Sequence, residues 1–268
     1  SDHIFTLKLI IDYSLMSPTK NKLNKKSKMP FNINRKSILG VLSLVYQEII
    51  DSFLTKTKIK KPKELEVLEL VKKKAIKNNP NSILKIIDDY AYKSTFLMNI
   101  GDQKGEILDK AIKDSRATNI LELGVYLGYS TIRILNNMTD NSKLTSIEAN
   151  EKFAQIAKEH IEISGLSKHH ILKIGKSSDL IPSLEEQYDF VFIDHWKDLY
   201  LKDLQSLEEF GLLKQGAWVF ADNVVLFNLE DYLDYVRSSP DFKSEFIPTM
   251  REYSKSHPDG VEISKYKL

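Results

Sequence analysis

The chain has no cysteine among its 268 residues, which excludes both a disulfide framework and a thiolate metal site. That absence suits a reducing, cytoplasmic setting. Long apolar runs are missing as well. A membrane span needs roughly 18–20 uninterrupted apolar residues, and the best stretch, Ser37 to Leu54, is broken by Gln47, Glu48 and Asp51. Those polar residues gather late in the run, so it reads as an amphipathic helix, with attachment to a membrane surface as the lesser alternative. No secretory leader is legible, because the apolar Ile4–Ile11 carries Lys8 and lacks a charged lead and a small-residue cleavage site. Charge of one sign is also lacking. With 39 Lys and Arg against 37 Asp and Glu, the formal balance of +2 argues against a nucleic-acid binder. No repeat recurs at a fixed period. What is present, 42% apolar and 28% charged residues, is an enzyme-like composition long enough to bury one substantial core.

The chain divides by texture at about residue 60. From Ser17 to Lys36 there are seven Lys or Arg and no acid, a self-repelling segment that reads as a solvated tail or as a contact for an anionic surface. Residues 1–60 are therefore read as an N-terminal extension and 61–268 as the main domain. Pro62 opens a helical stretch with Leu65, Val67, Leu68, Leu70 and Val71 as its apolar residues. Asn79-Pro80-Asn81 breaks it, and Asn81 or Ser82 is placed to cap a second helix through Tyr92. A third follows Gly101, with Ile107, Leu108, Ala111 and Ile112 on one face.

After Asp114 short apolar runs alternate with helical segments. The runs are Asn119–Gly124, Leu144–Glu148, His170–Gly175, Asp189–Asp194 and Ala217–Asp222. Helices are expected near Ser130–Asn137, Glu151–Ser164, Leu199–Phe210 and Asn228–Ser238. This alternation implies a mostly parallel sheet covered on both faces. Ser244–Ile247 and Val261–Tyr266 alternate with no helix between them and should pair antiparallel at one edge. The layout is an open, Rossmann-like three-layer α/β/α domain with seven strands and added N-terminal helices.

In open α/β sheets ligands bind beyond the carboxyl ends of the strands. Acids stand at those ends here: Glu122, Glu148, Asp194 and Asp222. In Glu122-Leu-Gly-Val-Tyr-Leu-Gly-Tyr-Ser130, Gly124 and Gly128 allow a sharp turn and a close approach of backbone to a ligand. The spacing is not that of a dinucleotide loop, which weakens a pyrophosphate reading but leaves NAD open. Glu148, about two dozen residues on, suits a carboxylate accepting hydrogen bonds from a ribose diol. A nucleoside-type cofactor and a plain tight turn both fit these glycines. Asp194, Asp222 and Asn223 offer only oxygen, as a hard cation such as Mg²⁺ prefers. Helix capping by the two aspartates fits the spacing equally well.

Five segments together, "MNIGDQKGEILDKAI", "ILELGVYLGYST", "FVFIDHWKDLYLKD", "VFADNV" and "REY…DGVE", resemble the catechol O-methyltransferase family of class I S-adenosylmethionine (AdoMet) dependent enzymes. The likeness runs from about Lys63 to the C-terminus, some three quarters of the chain. It implies that Asp194, Asp222 and Asn223 hold Mg²⁺, that Lys197 is the general base, and that Glu252 holds the substrate's second hydroxyl. It places Glu148 on the cofactor ribose, with Gly124, Tyr126 and Ser130 around the methionine portion. Ser177 and Ser178 would lie beside the adenine, bordered by His195 and Trp196, and Met98, Asn99 and Ile100 would line the methyl-transfer channel.

The substrate wall implied by the likeness comprises Phe96, Trp196, Lys197, Asn223, Phe227, Arg251 and Glu252. Three of these depart from the family pattern: Phe96 replaces a tryptophan, Phe227 a proline and Arg251 a leucine. Lys176 and Ser178 replace an alanine and a glutamine near the adenine. The resemblance therefore implies methyl transfer from AdoMet to one hydroxyl of a Mg²⁺-chelated catechol, a small-molecule substrate, with Arg251 favouring an acidic one. The other readings are a metal-dependent enzyme for a caffeoyl-type diol, an AdoMet-binding protein without turnover, and an NAD-dependent oxidoreductase.

Overall fold

The computed structural model describes residues 61–268 together with Tyr46, Ile49, Leu54, Thr55, Thr57 and Lys60. The chain separates into two compact units, Ser1–Lys60 and Lys61–Leu268. In the first, Tyr46, Ile49, Leu54 and Thr55 are helical, and Leu54 accepts hydrogen bonds on its carbonyl from the Thr57 hydroxyl and the Lys60 amide. The basic segment 17–36, and most of the amphipathic stretch 37–54, lie outside the described residues. Among the described residues no helix is long and apolar enough to cross a membrane.

The second unit begins with three helices. In α1 (Lys63–Lys74) acids fill the first turn and lysines the last, matching the helix dipole at both ends, and Val67, Leu68 and Val71 are buried. α2 (Pro80–Lys93) is capped a few residues earlier than the sequence suggests. Asn79, not Asn81 or Ser82, accepts the Ser82 amide, because Pro80 has no amide to lose at the first helical position. The Ser82 hydroxyl accepts the Ile76 amide instead. α3 (Gly101–Ser115) starts at a glycine in the left-handed region and buries Lys104, Leu108, Ala111 and Ile112.

Strands and helices then alternate: β1 (Asn119–Leu123), α4 (Tyr129–Asn137), β2 (Lys143–Glu148), α5 (Glu151–Ser164), β3 (His170–Ile174), α6 (Ser177–Leu180), β4 (Tyr188–Ile193), α7 (Tyr200–Glu209), β5 (Leu213–Ala221) and α8 (Glu230–Ser238). β6 (Phe242–Met250) and β7 (Pro258–Tyr266) complete a seven-stranded sheet ordered β3-β2-β1-β4-β5-β7-β6. The first five strands are mutually parallel and β7 inserts antiparallel beside β5, pairing with β6 at the edge. β5 is longer than its apolar run: Lys214, Gln215 and Gly216 belong to it, across a register shift against β4. The Rossmann-like α/β/α reading is what the molecule adopts.

Strand order reverses between β1 and β4, which opens a crevice at their carboxyl ends. The loop after β1 is fixed there from several sides. Glu148 accepts the amides of Val125 and Tyr126 at 3.0 and 2.9 Å, and buried His160 donates from Nδ1 to the Leu127 carbonyl. Gly124 has φ +95°, and a Cβ there would lie 2.5 Å from the Asp194 carbonyl oxygen. This glycine is required by the chain's own neighbouring strand end, and only secondarily by any ligand. Beneath the loop, fully buried Glu122 accepts hydrogen bonds from Ser130, Thr131 and Ser146, tying β1 to α4 and β2.

Two outcomes follow from these contacts. Gly124→Ala should cost about 3 kcal/mol from steric overlap and left-handed strain, read as a lowered urea midpoint. Burial pushes the Glu122 carboxyl up from 4.5 to about 7, more than its hydroxyl partners pull it down. Its native pKa lies above the unfolded one, so its contribution to stability is complete below pH 4.5 and is lost as pH rises through 7. Glu122→Gln should therefore remove a pH-dependent loss of about 3 kcal/mol between those limits, seen in urea midpoints at pH 5 and 8. A constant difference between the two proteins across that range would be the contrary result.

Candidate active site

Ile193 and Ala221 are register partners on the parallel strands β4 and β5, so the residues that follow them, Asp194 and Asp222, leave the sheet side by side. The Asp222 amide bonds to the Ile193 carbonyl and the Asp194 amide to the Leu123 carbonyl, which carries the ladder one step past each strand. Neither aspartate caps a helix: the cap positions of α7 and α8 are Leu199 and Leu229, without side-chain bonds. The capping alternative is removed.

Asp194 Oδ1 accepts Lys197 Nζ at 2.8 Å. The same ammonium donates to the Tyr200 hydroxyl at 2.6 Å, and that hydroxyl donates to the Asp222 carbonyl oxygen at 3.2 Å. Burial, with Asp194 and Asp222 nearby, raises the Tyr200 phenol well above its ordinary value, so it stays a donor. Lys197 also lies over the Phe227 ring, 5.6 Å from its centroid. One edge of the site is thus an Asp–Lys–Tyr chain that ends on the backbone of the next strand.

The other edge is a buried charge cluster. Lys104 Nζ, fully buried on α3, contacts Asp222 at 2.7 and 2.8 Å, Asp259 Oδ2 at 3.0 Å, and Glu252. Asn223, at φ 58°, turns its amide nitrogen to Glu252 and to Asp259 Oδ2. Only the nitrogen can face two carboxylates, so the carbonyl oxygen of Asn223 points away from them. Burial pulls the Lys104 ammonium's pKa down, but the three acids outweigh it and drive the value well above normal. The Asp259 carboxyl is held low despite burial by Lys104 and by donors from Asn223, Leu226 and Gly260. One oxygen from each of Asp222, Glu252 and Asp259 lies within 4.8 Å of the others.

Sequence reasoning gave no role to Lys104 or Asp259. Asp259 sits inside the quoted C-terminal motif, and Lys104 inside the first. A lone lysine on an amphipathic helix ordinarily reads as a solvated one.

Asn99, Ile100 and Ser177 are buried, while Met98 and Trp196 are exposed and Ser178 opens α6 beside Ser177. His195 stacks on Tyr200 and bonds through Nε2 to Asp203 at 2.6 Å. Ser130 is spent on Glu122, and Glu148 on the glycine loop and the Asn150 amide. Tyr126, at φ 50°, is pinned through its hydroxyl to Glu64 of α1. The Arg251 guanidinium lies 5.7 Å from the centre of the Phe96 ring, and burial pulls its pKa below the usual arginine value. Asp194, Asp222 and Asn223 present an all-oxygen set on adjacent strand ends, which fits a hard divalent cation.

A family model described as O-methyltransferase matches residues 72–231. Catechol O-methyltransferase from Bos taurus is 35% identical over 85% of this chain and 85% of its own length. The Mus musculus protein of the same name is 39% identical over 76% of this chain and 79% of its own. A transmembrane O-methyltransferase from Homo sapiens is 33% identical over 72% of this chain and 68% of its own. Among solved structures, an O-methyltransferase from Bacillus cereus in complex with SAH superposes with TM-score 0.60 at 21% identity, covering 82% of this chain and 97% of that one. At that identity it speaks for the fold alone. The family match and the relatives, on a sheet whose strand ends carry this site, place the chain in the O-methyltransferase family, among the catechol O-methyltransferases.

Proposed function

We propose that the chain transfers the methyl group of AdoMet to one hydroxyl of a catechol, with residues 61–268 as the catalytic domain and 1–60 as an extension. The observation that carries this reading is the meeting, at one crevice, of the Asp194–Lys197 pair, the Asp222–Asn223 strand end and buried Glu252. Asp194, Asp222 and Asn223 would hold Mg²⁺, whose charge lowers the cost of forming a catecholate and whose open positions orient both oxygens.

A free phenol has a pKa of roughly 10 and is protonated at neutral pH. Lys197, in its amine form, takes the proton of the reacting hydroxyl and becomes the ammonium that Asp194 and Tyr200 are placed to receive. Glu252 accepts a hydrogen bond from the second hydroxyl. The catecholate oxygen then bonds to the methyl carbon as the carbon–sulfur bond breaks, its electron pair staying on sulfur. Positioning can supply around 7–11 kcal/mol, so the rigid loop after β1 matters as much as the base. Glu148 has acceptor capacity left for a ribose diol beyond the amides it already binds.

Mass spectrometry of products from a catechol panel, with and without Mg²⁺, tests the reading, and a caffeoyl thioester in the panel separates the related activity. Methylated catechol should form only with the metal. Activity that survives EDTA would remove the metal assignment. Lys197→Ala should lower kcat by about 10²–10⁴-fold while the AdoMet dissociation constant moves by about twofold or less. An unchanged kcat would remove Lys197 as the base. Asp194→Ala and Asn223→Ala should abolish Mg²⁺-dependent turnover.

A further inference from the structure

The buried cluster behind Asn223 has the dimensions of a cation site. Ligand oxygens around a divalent ion sit roughly 2.0–2.6 Å from it, so any two of them are about 5 Å apart or less. Asp222, Glu252 and Asp259 meet that condition, with one oxygen each inside 4.8 Å. Their side chains are almost wholly withdrawn from water. Buried charges of one sign are matched by an opposite charge placed among them. The position is taken by Lys104 Nζ, which reaches all three acids at once.

We propose that Lys104 is a positioning residue that fills this three-carboxylate pocket, keeps divalent cations out of it, and so confines the metal to the Asp194 side of Asp222. The inference rests on the metal reading given under Proposed function. Asp222 is the shared member: its carboxylate faces the ammonium, and it also belongs to the strand-end set with Asp194 and Asn223. Without the ammonium, the deeper pocket offers three carboxylates, against two carboxylates and an amide on the outer side. A hard cation favours the more negative set.

Lys104 also fixes what the pocket presents outward. With Glu252 and Asp259 both gripped by the Lys104 ammonium, the Asn223 amide turns its nitrogen inward to both. Its carbonyl oxygen is thereby the end available to a metal. A cation in place of Lys104 would draw Glu252 off the substrate's hydroxyl. The helix that delivers Lys104 is held close by its glycines. A Cβ at Gly101 would stand 3.1 Å from the Glu252 Cβ, and one at Gly105 would meet the Arg133 guanidinium at 2.6 Å. Arg133 is itself bound to Asp109 on the same helix at 3.0 and 2.6 Å.

The test counts Mn²⁺ bound to the full chain, from the electron paramagnetic resonance signal of the free ion, without substrate or turnover. The wild type should bind one ion and Lys104→Met two. Lys104→Arg, which keeps the charge, should bind one. If Lys104→Met binds one ion with wild-type affinity, the proposal is overturned while the metal reading stands. If the wild type binds none and Lys104→Met binds one, Lys104 does exclude cations but the metal reading fails. If neither binds, both fail. Should Lys104→Met not fold, Lys104→Gln, which removes the charge but keeps a hydrogen-bonding side chain among the three acids, should take up a second ion; one ion only would overturn the proposal. As a second readout, displacement of Glu252 in Lys104→Met should lower kcat by about a hundredfold with AdoMet affinity kept.

Discussion

A single ammonium among three carboxylates joins parts of the chain that lie 118, 148 and 155 residues apart. Lys104 comes from the third helix of the domain, Asp222 from the end of the fifth strand, Glu252 from the turn after β6, and Asp259 from the start of β7. Breaking one partner of a buried ion pair typically costs about 3–5 kcal/mol, because the other charge is left unpaired and unsolvated. The sheet's antiparallel edge is therefore tied to its parallel half at the very place where the reaction is proposed. Asp259 adds to this by accepting the Leu226 amide at 3.0 Å, which fixes the loop carrying Phe227.

The elements that repeat a simple period were legible from the residues. Apolar runs of five or six bounded by glycines and acids gave β1 to β4 to within about a residue, and two alternating runs with no helix between gave the β6–β7 pair. What escaped was set by tertiary context. The start of β5 is polar where it crosses a register shift, so its hydrophobic pattern begins only at Ala217. The cap at Asn79 was hidden by a cluster of four residues any of which can cap or turn. Within the site, the strand-end acids showed their position but not their use; helices beginning after Leu199 and Leu229 are what exclude a capping role. Lys104 and Asp259 carry no local signal at all, since an ion pair across 155 residues leaves no periodicity in either segment.

Several residues assigned to ligands by resemblance are engaged first with the protein. Glu148 binds three backbone amides, Ser130 binds Glu122, and Tyr126 reaches back to Glu64. Gly124 is excluded from carrying a side chain by the Asp194 carbonyl before any cofactor arrives. These contacts set the loop after β1 in advance, so little ordering entropy is left to oppose binding. The same bonds that read as structural shape the crevice, because the loop they hold need not reorganise around what enters it.

Asp222 is where the two halves of the site meet. Its carboxylate is gripped by Lys104, its carbonyl by Tyr200, and Tyr200 in turn by Lys197. Burial and the neighbouring acids push the Asp222 carboxyl well above its usual range even with the Lys104 ammonium beside it. That crowding of negative charge is an unfavourable state which a second cation on the open side would relieve. A divalent ion bound there would strengthen the carboxylate form of Asp222 and draw on the same strand end to which Lys197 is tied through Tyr200. A cation held there and the Lys197 side chain would thus be coupled through one residue's side chain and backbone.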